Sequence, residues 1–292
     1  MPGQKITGIA VTLSGLLICL LFFAGSPREG GGRTAVTPET LQTSADEPTC
    51  IQVGEELDYA VSYSFFSIGT ISLKILDKGV RNGRPIFKAR AVIESNPSLS
   101  WLTEIHIRFY GEIDDSIFSH YWVSEDSSKA GIDYHTLTFS YGDHRLMYEK
   151  GNVFPSGERK IANVDTVSIS GPVQDGLSLF YYAREHVRQK KEVNVPTVID
   201  NKVAATYIDF QNKIEDADID AVDYPVETVF FNGRADFVGV VGMTGGFRGW
   251  FSNDSARIPI IARLNVWLGS IKVELKSWKR QGWQPPRYTD GK

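Results

Sequence analysis

The sequence predicts a mainly β protein, a curved antiparallel sheet or open β-barrel with one principal helix, at about residues 175–188, packed on it. From residue 51 onward, apolar side chains alternate with polar or small ones, which is the period of a half-buried strand. The connections between these runs are short, as expected for antiparallel neighbours. The regular alternation of strands and helices that is typical of a parallel nucleotide-binding sheet does not occur in this pattern.

The alternation is clearest in the first four runs. These runs are Leu57–Phe65, Ile71–Ile75, Phe87–Ile93 and Ile105–Ile113. We expect a turn near Ser67–Gly69 between the first two runs, and Asn82-Gly83 precedes the third. In the fourth run, His106, Arg108, Tyr110 and Glu112 form the opposite face of the strand.

The rest of the chain has the same character. Further predicted strands are His120–Ser124, Tyr134–Tyr141, Arg145–Glu149, Lys160–Ser168, Val193–Ile199, Ala204–Phe210, Glu227–Phe231, Ala235–Val241, Arg263–Leu268 and Ser270–Lys276. Gly142-Asp143 and Asn232-Gly233 are predicted hairpin turns. The acidic stretch Glu215–Asp223 is expected to loop in solvent, and glycine-rich Gly242–Gly249 is expected to form a flap or tight bends.

The predicted helix begins after Gly171-Pro172, with Asp175 as its N-cap. Its apolar face is expected to lie against the sheet and is formed by residues at helical spacing, Leu177, Phe180, Tyr181, Arg184 and Val187. Basic residues crowd its C-terminal end, where the helix dipole favours cations.

The N-terminal region points to export. Ile6–Ala24 runs for 19 residues without a charge, which suits either a cleaved signal peptide or a retained membrane anchor within residues 1–26. Residues 27–50 are predicted to be a flexible linker, 51–280 a single β-rich exported domain, and 281–292 a loose tail. We therefore expect a location in the periplasm or cell envelope, tethered to the inner membrane if the segment is retained.

Composition narrows the chemistry. A formal net charge of −4 argues against nucleic acid as a partner. Cys50 is the only cysteine after the leader, so the sequence predicts neither an intrachain disulfide nor a cysteine metal site there. The five histidines show no metal-ligand spacing, and no Gly-x-Ser-x-Gly motif occurs. We expect no cofactor, no metal and no enzymatic activity.

Several blocks of the chain resemble an exported bacterial family, domain-of-unknown-function family 3108. Asp175…Leu177-Ser178…Tyr181-Tyr182…Arg184 resembles its D-x-(L/F)-S-x-x-Y-x-x-R helix. Gly54-Glu55…Leu57…Tyr59 resembles its opening strand, Trp250–Pro259 its W-(L/F/I)-S-x-D-x-x-R-x-P block, and Gly269…Val273…Leu275 its closing strand. The resemblance implies an envelope location and a β-rich domain, and it transfers no catalytic residue. By analogy alone, the sheet is similar to that of periplasmic lipoprotein carriers.

Five residues are candidates for ligand contact. They are Arg184, Tyr181, Trp250, Asp254 and Arg257. In this interpretation Arg184 or Arg257 meets an anionic head group while aromatic side chains cover an acyl chain. In the alternative, Asp254 caps the turn and Arg257 pairs with a carboxylate, which would clamp the start of the following strand.

Three functions remain open from the sequence. The first is a non-enzymatic envelope protein whose concave sheet binds an apolar or amphiphilic ligand, such as a lipid or a lipidated partner. The second is an assembly or structural module of the envelope that binds a protein or a polysaccharide. The third, and the least favoured, is a hydrolase built on His106, His120 or His135.

Overall fold

The computed structural model describes residues 50–101, 104–199, 201–235, 243–266 and 269–289. The predicted leader, the predicted linker up to residue 49 and most of the predicted strand Ala235–Val241 lie outside these residues. Cys50, the last residue of the predicted linker, is fully buried and belongs to the folded domain.

Fourteen strands form one antiparallel sheet. They are β1 Glu56–Tyr63, β2 Phe66–Arg81, β3 Arg84–Ser95, β4 His106–Asp114, β5 Ser119–Ser128, β6 Gly131–Ser140, β7 Arg145–Val153, β8 Arg159–Ser168, β9 Lys191–Ile199, β10 Lys202–Ala217, β11 Val226–Ala235, β12 Met243–Ser252, β13 Pro259–Val266 and β14 Ser270–Lys279. The helix α1 spans Gly176–His186. The predicted mainly β class with one principal helix is confirmed.

The strand order is β8-β7-β6-β5-β4-β3-β2-β1-β14-β13-β12-β11-β10-β9. The chain is thus a meander whose first and last strands pair, while the edge strands β8 and β9 are consecutive in the sequence. The sheet is not closed into a barrel, and α1 lies in the connection between its two edges. Next to that opening, Asn201 Nδ2 donates to Asp165 Oδ2 at 2.8 Å, so the two edges approach each other at one point.

The inner face of the curved sheet carries the core. In β3 the alternating residues Phe87, Ala89, Ala91 and Ile93 are all at most 4 % exposed, as their spacing predicts. Register shifts interrupt several ladders, including those of β1 with β14 and of β10 with β11. Such bulges bend a strand and increase its twist, which lets a long sheet curl around its own core.

The helix α1 packs inside this curve. Asp175 is its N-cap, as predicted: one carboxylate oxygen accepts from Leu177 N at 2.6 Å and from Ser178 N at 3.0 Å. Ser178 Oγ in turn accepts from Asp175 N, which completes a capping box. A Cβ at Gly111 of β4 would lie 3.2 Å from Leu177 Cδ2, so a side chain there would crowd the helix.

The first hairpin turn differs from the prediction. It lies at Ser64-Phe65, and Ser67–Gly69 belongs to β2. Ser64 adopts a left-handed φ of 55°, and Phe65 is 82 % exposed at the tip instead of continuing the inward alternation. The alternation of apolar and polar residues predicts the strand correctly up to Tyr63, but it does not indicate where the strand ends.

The predicted hairpin turn at Asn232-Gly233 is wrong, because both residues lie within β11. Gly233 is opposite Phe247 of β12, and a Cβ there would come within 2.3 Å of the Phe247 ring. Two rows along, Phe231 covers Gly249 in the same way. These glycines therefore accommodate aromatic rings across the strand pair, a known role of glycine in sheets. The predicted flap at Gly242–Gly249 is also wrong, because the residues from Met243 onward belong to strand β12.

Two further predictions are corrected. The acidic stretch Glu215–Asp223 is not all loop, because β10 continues to Ala217 and Glu215 pairs with Thr228. The tail predicted as loose over 281–292 is attached to the domain in its described part. Trp283 Nε1 donates to Asp254 Oδ2 at 2.6 Å, and Arg287 forms an antiparallel bridge with Val226.

Candidate functional site

A cavity of about 560 Å³ lies on the inner face of the sheet. One wall is formed by β4–β8. The opposite wall is formed by Asp175 and Gly176 at the start of α1 and by Val198 of the edge strand β9. The cavity therefore lies where the sheet is open and where the helix only partly fills the curve.

The closed end of the cavity is apolar. Trp122, Leu137 and Tyr148 lie side by side on β5, β6 and β7 and are at most 9 % exposed. We name these three residues the floor row. Next to them along the strands are the inward residues of a middle row, Phe109, Ser124, His135 and Lys150. His135 Nδ1 lies 3.4 Å from the hydroxyl of Tyr148.

The open end of the cavity is charged. The next inward row crosses β5–β8 and consists of Asp126, Asp133, Asn152 and Lys160, which we name the charged row. Asp133, Lys160 and the middle-row Lys150 are exposed to solvent. The cavity wall thus changes from apolar to charged over three successive rows of inward residues. Neighbouring rows are two residues apart along each strand, so the floor row and the charged row are separated by roughly 14 Å.

Two carboxylates stand directly opposite each other in the charged row. Asp126 and Asp133 are register partners on β5 and β6. Burial raises the pKa of Asp126, and the negative charge of Asp133 raises it further. Asn152 Nδ2 donates to Asp133 Oδ1 at 2.8 Å. Like charges placed directly opposite are destabilising, so this pair concentrates negative potential, while the charge of His106 acts in the opposite direction on the pKa of Asp126.

The structure places the predicted ligand-contact residue Arg184 deep in the core. It is fully buried, and its guanidinium donates to both carboxylate oxygens of Glu55 at 2.7 and 3.1 Å. It also donates to the carbonyl oxygens of Cys50 at 2.8 Å and Ala256 at 3.0 Å. Tyr181, one turn earlier, is also fully buried, and burial raises its pKa well above the usual value.

The other three predicted residues hold neighbouring turns and strands. Asp254 Oδ1 accepts from Arg257 N at 2.9 Å, which is the turn clamp considered as the alternative interpretation. Arg257 adopts a left-handed φ of 46° and donates to Glu185 Oε2 at 2.6 Å. Trp250 Nε1 donates to Glu215 Oε2 at 2.7 Å.

Arg184, Asp254 and Arg257 are brought near the start of β13, since Arg184 bonds the carbonyl next to Arg257. None of the five predicted residues is among the described residues that line the cavity. Their contact with a ligand stays a prediction.

Sequence reasoning missed the residues that do line the cavity, although a signal existed. Along β5 the inward positions read Trp122, Ser124 and Asp126, and along β7 they read Tyr148, Lys150 and Asn152. In both strands an apolar inward residue is followed by polar ones at the same period. A core strand would continue with apolar residues at these positions.

The histidines proposed for a hydrolase do not converge. His106 lies on the outer face of β4, 3.1 Å from Glu94, while His135 faces the cavity. His120 is buried with its Nε2 2.8 Å from Asp114 Oδ2. Over the described part of the chain, no group of three or more His, Cys, Asp or Glu is arranged to hold a metal ion.

The fold and the cavity define a class of protein, an open antiparallel β-sheet with an amphipathic concavity. The chain belongs to the family described as protein of unknown function DUF3108, whose sequence model matches residues 58–276. This confirms the resemblance inferred from the motifs. No curated protein matches the sequence.

Two solved structures are among those to which the chain is similar. One is a β-barrel-like protein of the domain of unknown function DUF1849 from Brucella abortus, with 10% identity and a TM-score of 0.49, covering 78% of this chain and 97% of that one. The other is a Bacteroides fragilis protein described as a candidate exported protein with a YmcC-like fold, with 8% identity, a TM-score of 0.31 and the same two coverages of 78% and 97%. Within the described ranges, no helix has the length and apolar character needed to cross a bilayer.

Proposed function

We propose that this protein is a non-enzymatic component of the cell envelope that holds an apolar or amphiphilic ligand, a lipid or the lipid of a lipidated partner, on the concave face of its sheet. The observation that carries the proposal is the change along the cavity wall from the apolar floor row to the charged row. An amphiphile has the same polarity change along its length, so its tail would lie on the floor row with its head at the charged row.

The size of the cavity supports this ligand class. Binding sites for small molecules are clefts of about 300–1,000 Å³ with mostly apolar walls and a few polar groups that fix orientation. A cavity of about 560 Å³ whose floor consists of Trp122, Leu137 and Tyr148 fits that description. Burying one methylene group there would contribute about 0.8 kcal/mol, so an alkyl chain of modest length is enough for stable binding.

The position of the charged row supports an exchange with membranes. One row of register partners runs from Ile71 of β2 through Ile93 and Ile107 to Asp126. Phe66 begins β2, so it lies toward the same end of the sheet as the charged row. At that end Phe65 and Phe66 are 82% and 60% exposed. Exposed aromatic side chains at a hairpin tip favour contact with an apolar surface, and the uncharged segment Ile6–Ala24 brings the chain to a membrane during export.

Filling the cavity tests the proposal. We expect Ser124→Phe to weaken binding of an environment-sensitive fluorescent fatty-acid analogue at least tenfold, because the new ring occupies the middle row. Ser127→Phe is the matched control, since Ser127 lies on the same strand and its side chain is on the outer face. Thermal unfolding of both variants checks that they are folded. Equal affinities of the two folded variants, or no saturable binding by the wild type, would contradict the proposal.

An envelope assembly module that binds a protein or polysaccharide is the second candidate. It is favoured by the edge strand β8, on which Ile161 and Val164 are each 53% exposed. An exposed edge strand is a template for pairing with a strand of another protein. If this is the function, Val164→Lys should abolish capture of one envelope protein, while binding of the fatty-acid analogue to the cavity would be absent from the start.

A further inference from the structure

We infer that the cavity selects an amphiphile with a zwitterionic head, whose cationic group lies at Asp126 and Asp133 and whose anionic group lies at Lys150 and Lys160. This inference rests on the proposed function, since it names the ligand class of the same cavity. Four charged side chains in and next to the charged row are more than orientation of a neutral head requires.

In the described part of the chain, the acidic pair is not neutralised by a lysine or arginine, and the opposing charge that acts on Asp126 is that of His106. No lysine or arginine among the described residues forms an ion pair with Asp126 or Asp133. The contact of Asp133 with Asn152 is to a neutral amide. Directly opposed carboxylates on a partly buried face are unfavourable, and a cationic group placed between them would relieve this cost.

The basic pair is complementary and lies beside it. Lys150 and Lys160 line the same wall from β7 and β8, and neither forms an ion pair within the described chain. Asp133 is opposite Asn152, so Lys150 is its diagonal neighbour across one strand boundary, at roughly 7–8 Å between backbones. Asp126 and Lys160 are three strands apart, or roughly 14 Å. A head group with separated opposite charges can span these distances.

Other head groups satisfy only half of the site. A purely anionic head that reaches the lysines is repelled by the two carboxylates. A purely cationic head that reaches the carboxylates is repelled by the two lysines. Specificity by repulsion of the wrong ligand is a general device in binding sites. The two poles therefore favour a phosphoethanolamine-like or phosphocholine-like head over a fatty acid or an alkylamine.

A comparison of the affinities of four amphiphiles that share the same dodecyl tail tests the inference. The probes are dodecyl phosphocholine, dodecyl sulfate, dodecyl trimethylammonium and dodecyl maltoside, each below its micelle concentration, titrated into the full exported chain by calorimetry. We expect the zwitterionic amphiphile to bind at least tenfold tighter than the other three. Asp126→Asn/Asp133→Asn should shift the preference toward dodecyl sulfate, and Lys150→Gln/Lys160→Gln toward dodecyl trimethylammonium.

The controls separate this inference from the proposed function. Asp115→Asn/Asp218→Asn makes the same change in net charge at exposed positions outside the cavity, and it should leave the order of affinities unchanged. Similar affinity for all four amphiphiles, with loss of binding in Ser124→Phe, would overturn the zwitterion inference and leave the proposed function standing. Binding of none of the four would overturn both. The tightest binding of dodecyl sulfate or dodecyl trimethylammonium by the wild type would also overturn the inference.

Discussion

Arg184 joins three separate parts of the chain inside the core. Its side chain reaches from α1 to Glu55 just before β1, to the carbonyl of Cys50 and to that of Ala256 before β13. Arg280 also donates to Glu55 and to the Cys50 carbonyl. Burying a charge costs several kcal/mol unless it is paired and hydrogen-bonded, and here the pairing partners also fix the position of the helix.

Removing the charge of Arg184 should destabilise the domain. We expect Arg184→Met to lower the free energy of unfolding by about 3–5 kcal/mol, because the buried Glu55 keeps only Arg280 as its cationic partner and the Ala256 carbonyl loses the bond from Arg184. Arg188→Met is the control one turn away, since Arg188 is exposed and bonds only Asn253 among the contacts described, and it should cost under about 1 kcal/mol. Urea unfolding measures both. Equal losses would show that the buried pair adds nothing.

His186 makes the stability of the domain depend on pH. Burial lowers the pKa of its imidazole to about 4, while Lys191 and Arg257 lower it further and the Tyr182 carbonyl and Glu185 act in the opposite direction. The unfolded chain, with an ordinary histidine pKa of about 6.5, therefore takes up the proton first. This contribution to stability is present above about pH 6.5 and is lost as the pH falls toward 4.

The variant His186→Phe should flatten this dependence. The phenyl ring can keep the stacking on Tyr182, whose ring centroid lies 4.0 Å from that of His186, but it has no proton to bind. We expect the urea midpoint of the wild type to fall more steeply than that of the variant between pH 6.5 and 4.5. The difference amounts to at most about 3 kcal/mol. Parallel curves for the two proteins would rule out His186 as the source.

Among the elements, β11 and β12 depend on glycines that accommodate rings. We expect Gly233→Ala to lower the free energy of unfolding by about 1–3 kcal/mol, because its Cβ meets Phe247 and the Tyr207 carbonyl. Gly142→Ala is the matched control, since a Cβ there meets nothing within 4 Å and its φ is not left-handed. Thermal unfolding distinguishes the two, and a neutral Gly233→Ala would show that the ring moves aside freely.

The same strand pair shows what local sequence patterns can and cannot predict. Alternation in β3 and the N-cap at Asp175 are local properties, so both are predictable from the sequence. The Asn-Gly pair at 232–233 has the local signal of a hairpin, but its outcome depends on Phe247, a residue 14 positions further on. Likewise, the floor row and the charged row are formed by residues from several strands. Their members become recognisable as a site only when the register between strands is known.

For Asp254 and Arg257 the sequence left two interpretations open, and the structure shows the contacts of the turn clamp. Asp254 and Arg257 belong to a recognisable motif, and the contacts that they make stabilise the fold. Cavity residues such as Ser124 and Lys150 belong to no motif, and their signal in the sequence is only a polar residue at an inward strand position. A candidate site chosen from motifs alone therefore favours structural residues over those that line a concavity.

At the scale of the whole molecule, the meander places the first and last strands at the centre of the sheet and leaves the opening between β8 and β9. The helix α1 enters the curve from that opening and covers its apolar interior only in part. A curved sheet of this kind encloses a cavity that water fills when no ligand is bound. Covering its apolar floor with an alkyl chain removes apolar surface from water, which is favourable in free energy. This links the topology to the proposed ligand.

The most direct test of the proposed ligand is native mass spectrometry of the protein purified, without detergent exchange, from the cells that produce it. We expect a bound, non-covalent mass in the range of a single amphiphile on the wild type and on Ser127→Phe, and its loss from Ser124→Phe. A bare wild-type protein that also takes up no amphiphile on incubation with membrane lipids, or a bound mass that Ser124→Phe retains in full, would contradict it.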